Sequence, residues 1–173
     1  MTKVRLSKLD AARRQLHVAI RMYFNEGDVV AMHTLTAAAF ALVQNMLDAK
    51  GSKESPTQWI NAAIRPEYRK RCWKALHQTA NFLKHADKDS EKFHEFAPEE
   101  TENLLFMAAY HYRLLTMDDT PETRLMVNWY FMKYPDIVDS AHASRLIQIK
   151  KLIGDDRHLY WKQAMSAIQA QPC

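Results

Sequence analysis

A chain of 173 residues that is 47% hydrophobic, with 3 glycines and 6 prolines, can bury a core as a single domain spanning 1–173. It is neither disordered nor low in complexity. Its net charge of +4 is unevenly placed: residues 1–86 hold 14 basic and 6 acidic side chains, residues 87–122 hold 3 and 10, and residues 123–173 hold 7 and 4. That asymmetry permits an anionic partner on the N-terminal half, or an acidic segment packed beside basic helices. Two cysteines, Cys72 and Cys173, make no disulfide framework and read as free thiols in a reducing compartment. The first residues carry no apolar signal-like run, so the expected location is cytoplasmic.

Ser7 followed by Asp10 resembles a capping box. It opens a helix in which Leu9, Ala12, Leu16, Ala19, Ile20 and Tyr23 recur at helical spacing. Gly27 can end that helix and Asp28 can cap the next, which predicts an αα-hairpin. Val29 to Leu47 carries no Asp, Glu, Lys or Arg and is long enough to cross a bilayer. Its His33, Thr34, Thr36, Gln44 and Asn45, with its many alanines, predict a buried central helix and no membrane partner. Gly51 is the expected stop.

Ser55-Pro56-Thr57-Gln58 supplies a cap, a proline at the first helical position and a glutamine three residues on. Pro66 breaks or kinks this third helix, and a long one follows from about Glu67 to Ala86. Asp87 to Thr101 is a polar connection whose "KFHEF" alternates like a short strand. Helix starts recur at Pro98 and at Thr120-Pro121-Glu122. Pro135 stops the latter, and Asp136 to Ile153 and Arg157 to Gln169 complete the chain around Gly154. The expectation is an all-α bundle of six to eight helices with a kinked third helix.

On a helical wheel of 67–86, Tyr68, Cys72, Ala75, Leu76, Thr79, Phe82, Leu83 and Ala86 gather on one face, the expected core side. Lys70, Lys74, His77, Asn81, Lys84 and His85 form the opposite stripe, with Arg71 and Gln78 at its border. Asn81, three intervening residues and His85 resemble the latter part of the Arg-Asn-x-x-x-His signature of HEPN domains, with Ala80 in the arginine position. Arg71, five residues and His77 also match the looser spacing of that family. The stretches "LDAARRQL", "HTLTAAAF" and "NFLKHAD" are similar to stretches of uncharacterised bacterial all-α proteins, over about Lys8 to Asp136.

The HEPN resemblance implies a small dimeric helical bundle with metal-independent ribonuclease activity. It would make His85 the base, Asn81 its positioning partner, and Lys84, Lys74 or Arg71 the substitute for the missing arginine. The chemistry is coherent: cleavage without metal needs a base for the 2′-OH and a cation at the phosphate. Lysine lacks the arginine fork, so the substitution is not conservative. The alternative is a solvated basic face whose terminal Lys84 and His85 complement the helix dipole. As a binding face, Lys70, Arg71, Lys74 and His77 would track RNA or another anion without turnover. "RPEYRKRCWK" interleaves basic and aromatic residues in that manner.

Other chemistries are less well served. His33, His85, Asp87 and His111 could approach one another in a bundle, but no Glu-x-x-His or His-x-x-x-His pair supports a metal. His33 and His111 read as hydrogen-bonded core histidines. No Gly-x-Ser-x-Gly or Gly-rich phosphate loop occurs, Cys72 lies on an apolar face, and no cofactor is called for. Finally, "RLMVNWYFMKYPD", Arg124 to Asp136, is apolar on nearly all sides. It is either central in the bundle or part of an interface with a second copy or another protein.

Overall fold

A computed structural model describes residues 3–85 and 91–170. Ala86, Asp87 and Cys173, to which the sequence assigned a core position, a loop start and a free thiol, lie outside these ranges. Among the described residues there are eight α-helices and no strand: α1 (Lys8–Phe24), α2 (Val29–Ala49), α3 (Pro56–Ala63), α4 (Pro66–Lys84), α5 (Pro98–Thr116), α6 (Pro121–Lys133), α7 (Ser140–Ile153) and α8 (Arg157–Gln169). The all-α expectation holds. Pro66 separates α3 from α4 as the first residue of the new helix, so the third helix is broken rather than bent.

The caps explain the boundaries. Ser7 accepts the Asp10 N–H at 3.0 Å while donating its hydroxyl to the Asp10 carboxylate at 2.7 Å. Asp28, Ser55, Thr120 and Asp156 accept the N–H three residues ahead in the same way. The α7 start differs from expectation. Pro135–Ile137 forms a 3₁₀ turn, and Asp139 caps the helix by accepting the His142 N–H at 2.9 Å. Gly27 has a packing reason to be glycine, since a Cβ there would lie 2.8 Å from Met22 Cβ. "KFHEF" is an extended connection without ladder bonds. Its alternation is real, with His94 and Phe96 half-buried and Phe93 and Glu95 exposed.

α2 is central. Met32, His33, Thr36, Ala37, Ala39, Phe40, Val43 and Leu47 are all buried, and α1, α3, α4 and α5 pack against it. It is the one described helix long and apolar enough to cross a membrane. Here that composition serves packing on several sides. α6 is likewise enclosed by its own chain: Leu125, Met126, Val127, Trp129 and Met132 are buried against α1, α5, α7 and α8. Most of its apolar surface is thus used inside the bundle, with Tyr130 and Phe131 half-buried.

Phe24, fully buried at the end of α1, ties the C-terminal half to the first hairpin. Its ring stacks on Trp161 at 4.9 Å and meets Trp129 edge-on at 6.2 Å and Tyr160 at 5.8 Å. At the other end of the same interface, Arg21 donates to Glu122 at 2.7 Å and His17 shares a 3.1 Å hydrogen bond with Thr120. Phe24→Ala should therefore destabilise the chain by about 3–5 kcal/mol in urea titrations. Tryptophan fluorescence should report early loss of the α8 contact.

Candidate nucleic-acid interface

The stripe proposed from sequence is on α4, and the structure keeps most of it in water. Lys70, Arg71, Lys74, Asn81, Lys84 and His85 are exposed, and His77 is half-buried. Only Thr79 and Ala80 of this helix are buried. The inward face is thus rotated by roughly 60° from the expected one. Tyr68 (53% exposed) and Ala75 turn outward, while Ala80 (3% exposed) joins the main core cluster. The cause is what α4 packs on. It packs lightly, on α2 and α3 and, through the Thr79–Glu100 bond, on the first turn of α5, so a small residue at the contact matters more than the average of the wheel.

That rotation bears on the motif. Ala80 occupies the position of the signature arginine, yet its side chain lies in the core, where a guanidinium would lack both space and partners. Asn81 and His85 sit one turn apart at the exposed helix end, where the His85 N–H donates to the Asn81 carbonyl at 3.1 Å. No side-chain hydrogen bond joins them among the described residues, and Lys84 lies beside them on the same open edge.

The start of α4 is held by Arg69, whose guanidinium donates to the carbonyls of Asn61 and Ile64 across the α3–α4 corner. Trp73 and His77, one turn apart, stack with centroids 5.5 Å apart and planes at 6°. Desolvation, then the charge of Lys84, lowers the His77 pKa, so this imidazole is neutral near pH 7. Among the described residues, no carboxylate pairs with Lys70, Arg71, Lys74 or Lys84. Glu67, in the first turn, is the one acid on the helix. Trp59 on α3 adds a second large aromatic surface, 57% exposed.

Beneath α4 lies a feature that sequence reasoning missed. A cleft of about 440 Å³ opens between α2, α4, the 92–97 connection and the first turns of α5. Thr79 Oγ1 is 2.8 Å from His94 Nε2 and donates to Glu100 Oε2 at 3.3 Å. A single hydroxyl proton cannot serve both partners. Where the Thr79 proton goes to Glu100, His94 Nε2 is the donor to Thr79 Oγ1. His33 shares a 2.9 Å hydrogen bond between Nδ1 and Thr101 Oγ1, but its buried Nε2 has no partner among the described residues. Burial lowers the His33 pKa against the opposing pull of Glu100, with help from His94 and Lys84. His111, by contrast, is satisfied, with Nδ1 2.7 Å from the Met107 carbonyl.

The cluster draws on residues 33, 79, 94 and 100, with no local spacing to mark it. The alternation that turns His94 and Phe96 inward was its one legible trace. Cys72 is free and half-buried at the cleft wall. Among the described residues, no three His, Cys, Asp or Glu side chains converge to hold a metal.

No family model, curated protein or solved structure matches this chain.

Two outcomes follow from these positions. Ala80→Arg, although it restores the signature, should destabilise the fold by about 2 kcal/mol or more, read as a lower urea midpoint. His33 and His77 have folded pKa values below the ordinary 6.5, so the unfolded chain takes up protons first. Their contribution is complete above about pH 6.5 and is lost as pH falls below it towards the folded values. Thermal midpoints measured across pH 5 to 8 should show that decline, and His33→Gln should flatten it.

Proposed function

We propose that this chain is an RNA-interacting helical protein, HEPN-like at its α4 edge, that holds the RNA backbone along Lys70, Arg71, Lys74 and Lys84. The observation that carries the reading is the row of exposed cations that no carboxylate pairs with among the described residues. Unpaired neighbouring cations repel one another, and a polyanion relieves that repulsion by displacing its own counterions. From Lys70 to Lys84 the helix rises roughly 21 Å, a span of several nucleotides. The stacked Trp73–His77 pair and the exposed Tyr68 and Trp59 supply flat surfaces for unpaired bases, which favours single-stranded over duplex RNA.

A second reading adds cleavage, and the open His85–Asn81–Lys84 edge favours it. His85 would take the 2′-OH proton while the 2′-oxygen attacks the adjacent phosphorus. The 5′-oxygen would leave with a proton from solvent or from the histidinium, giving a 2′,3′-cyclic phosphate. Lys84 would face the charge that builds on the phosphate. Two copies meeting along α4 would double this edge, so the catalytic reading goes with a homodimer.

Binding to a labelled single-stranded RNA at several salt concentrations tests the first reading. The logarithm of the affinity should fall linearly with that of salt, and Lys70→Ala or Lys74→Ala should each reduce the slope by about 0.7. Salt-independent or absent binding overturns it, and a co-purifying protein in that case moves the chain to the interaction modules. Incubating wild type and His85→Ala with RNA in excess chelator tests the second. Cyclic-phosphate ends from wild type alone support cleavage, and binding without cutting removes it. Sedimentation of the same sample reports the dimer.

A further inference from the structure

A second polar cavity, of about 380 Å³, lies between the α1–α2 turn, the start of α5, the end of α6 and the α7–α8 corner. Its volume is that of a small-molecule site. Two of its ion pairs are internal: Lys133 donates to Glu102 Oε2 at 2.7 Å, and Lys150 pairs with Asp155 at 3.0 Å. What remains is unbalanced in both signs. Glu102 is 5% exposed, and among the described residues no group, the nearby Tyr23 hydroxyl included, reaches its buried Oε1 in hydrogen-bond geometry. An ionised carboxylate has acceptor capacity well beyond the one bond that Lys133 makes. Arg157 stands over the Tyr23 ring, 4.7 Å from its centroid, and no carboxylate pairs with it among the described residues. Exposed Glu99 lines the same space, and no cation pairs with it among the described residues.

The walls complete the description. Tyr23 accepts the Trp129 Nε1–H at 2.9 Å, and burial, then the nearby Glu102 carboxylate, pushes its pKa up to about 12. It therefore keeps its proton as a donor. Met32, Trp129 and Met132 present apolar surface to the same cavity. A simple anion would meet Glu102 and Glu99, and a simple cation would meet Arg157, Lys133 and Lys150. A ligand bearing both charges a few bonds apart satisfies each leftover group at once.

We propose that this cavity binds a zwitterionic small molecule of the α-amino-acid class with an apolar side chain. Arg157 takes its carboxylate, Glu102 and Glu99 take its ammonium group, and Met32, Trp129 and Met132 face the side chain. The site uses no residue of the α4 face and stands independently of RNA binding.

Calorimetric titration of the full chain with L-leucine, L-methionine and L-phenylalanine tests this, with 3-methylbutylamine and 4-methylpentanoate as the decarboxylated and deaminated counterparts of leucine. At least one amino acid should bind at millimolar concentration or below, and for leucine each counterpart should bind at least roughly tenfold more weakly, since each leaves one charge of the site unmet. Arg157→Gln, at a half-buried first-turn position of α8, should weaken binding by a similar factor while loss of its contact with the Tyr23 ring lowers the thermal midpoint of the free protein by only a few degrees. Glu102→Gln gives a second arm that keeps the side-chain volume. Heat from none of the three amino acids, equal affinity for 4-methylpentanoate and leucine, or an Arg157→Gln protein that binds as wild type would each overturn the proposal.

Discussion

The bundle depends on one helix, α2, that carries no charged residue from Val29 to Leu47. α2 has neighbours on several sides, and each demands an uncharged surface. Its small residues at the contacts, among them Ala37 and Ala39, let other helices come close. Its polar side chains are tolerated because they find partners locally or across the core. Thr36 returns its hydroxyl to the Met32 carbonyl at 2.7 Å, and His33 reaches Thr101. α1 and α5 cover most of α2, and α6 and α8 then close over them around Phe24.

α4 occupies what remains, and its shallow seat accounts for the candidate interface. A helix fully buried only at Thr79 and Ala80, with Cys72, Leu76, Phe82 and Leu83 half-buried beside them, leaves about half of its circumference in water. Cations collected there gain little from intramolecular pairing and lose stability through mutual repulsion. The same exposure makes them available to a polyanion. Ala80 is the hinge of this argument: its small side chain allows α4 to approach the core, and that approach removes the position from the surface a signature arginine would have to occupy.

Two of the buried polar groups left unsatisfied among the described residues border cavities. His33 Nε2 borders the cleft under α4, and Glu102 Oε1 borders the cavity near Arg157. Both belong to elements whose backbone bonding is complete, so neither arises from a frayed end. Such groups cost stability where water and partners are absent. Each lies on a helix that also contributes to the main core, which fixes its position before any ligand arrives.

The all-α class, the breaks at Pro66 and Pro135 and most helix starts could be read from the chain itself. Ser7, Asp28, Ser55 and Thr120 bond to amides only three residues away, and proline acts on its own neighbours. The exposure of Lys70, Lys74, Asn81, Lys84 and His85 was also legible, because a polar stripe on an amphipathic helix has no better place than water. Only the tertiary structure decided that Ala80 rather than Tyr68 or Ala75 faces the core, that α6 is enclosed by its own chain, and that Thr79, His94 and Glu100 meet. Caps and periodicity are local interactions within a turn or two of helix. The rotation of a helix about its axis, and the convergence of side chains distant along the chain, depend instead on which neighbours it packs against, which no window of sequence contains.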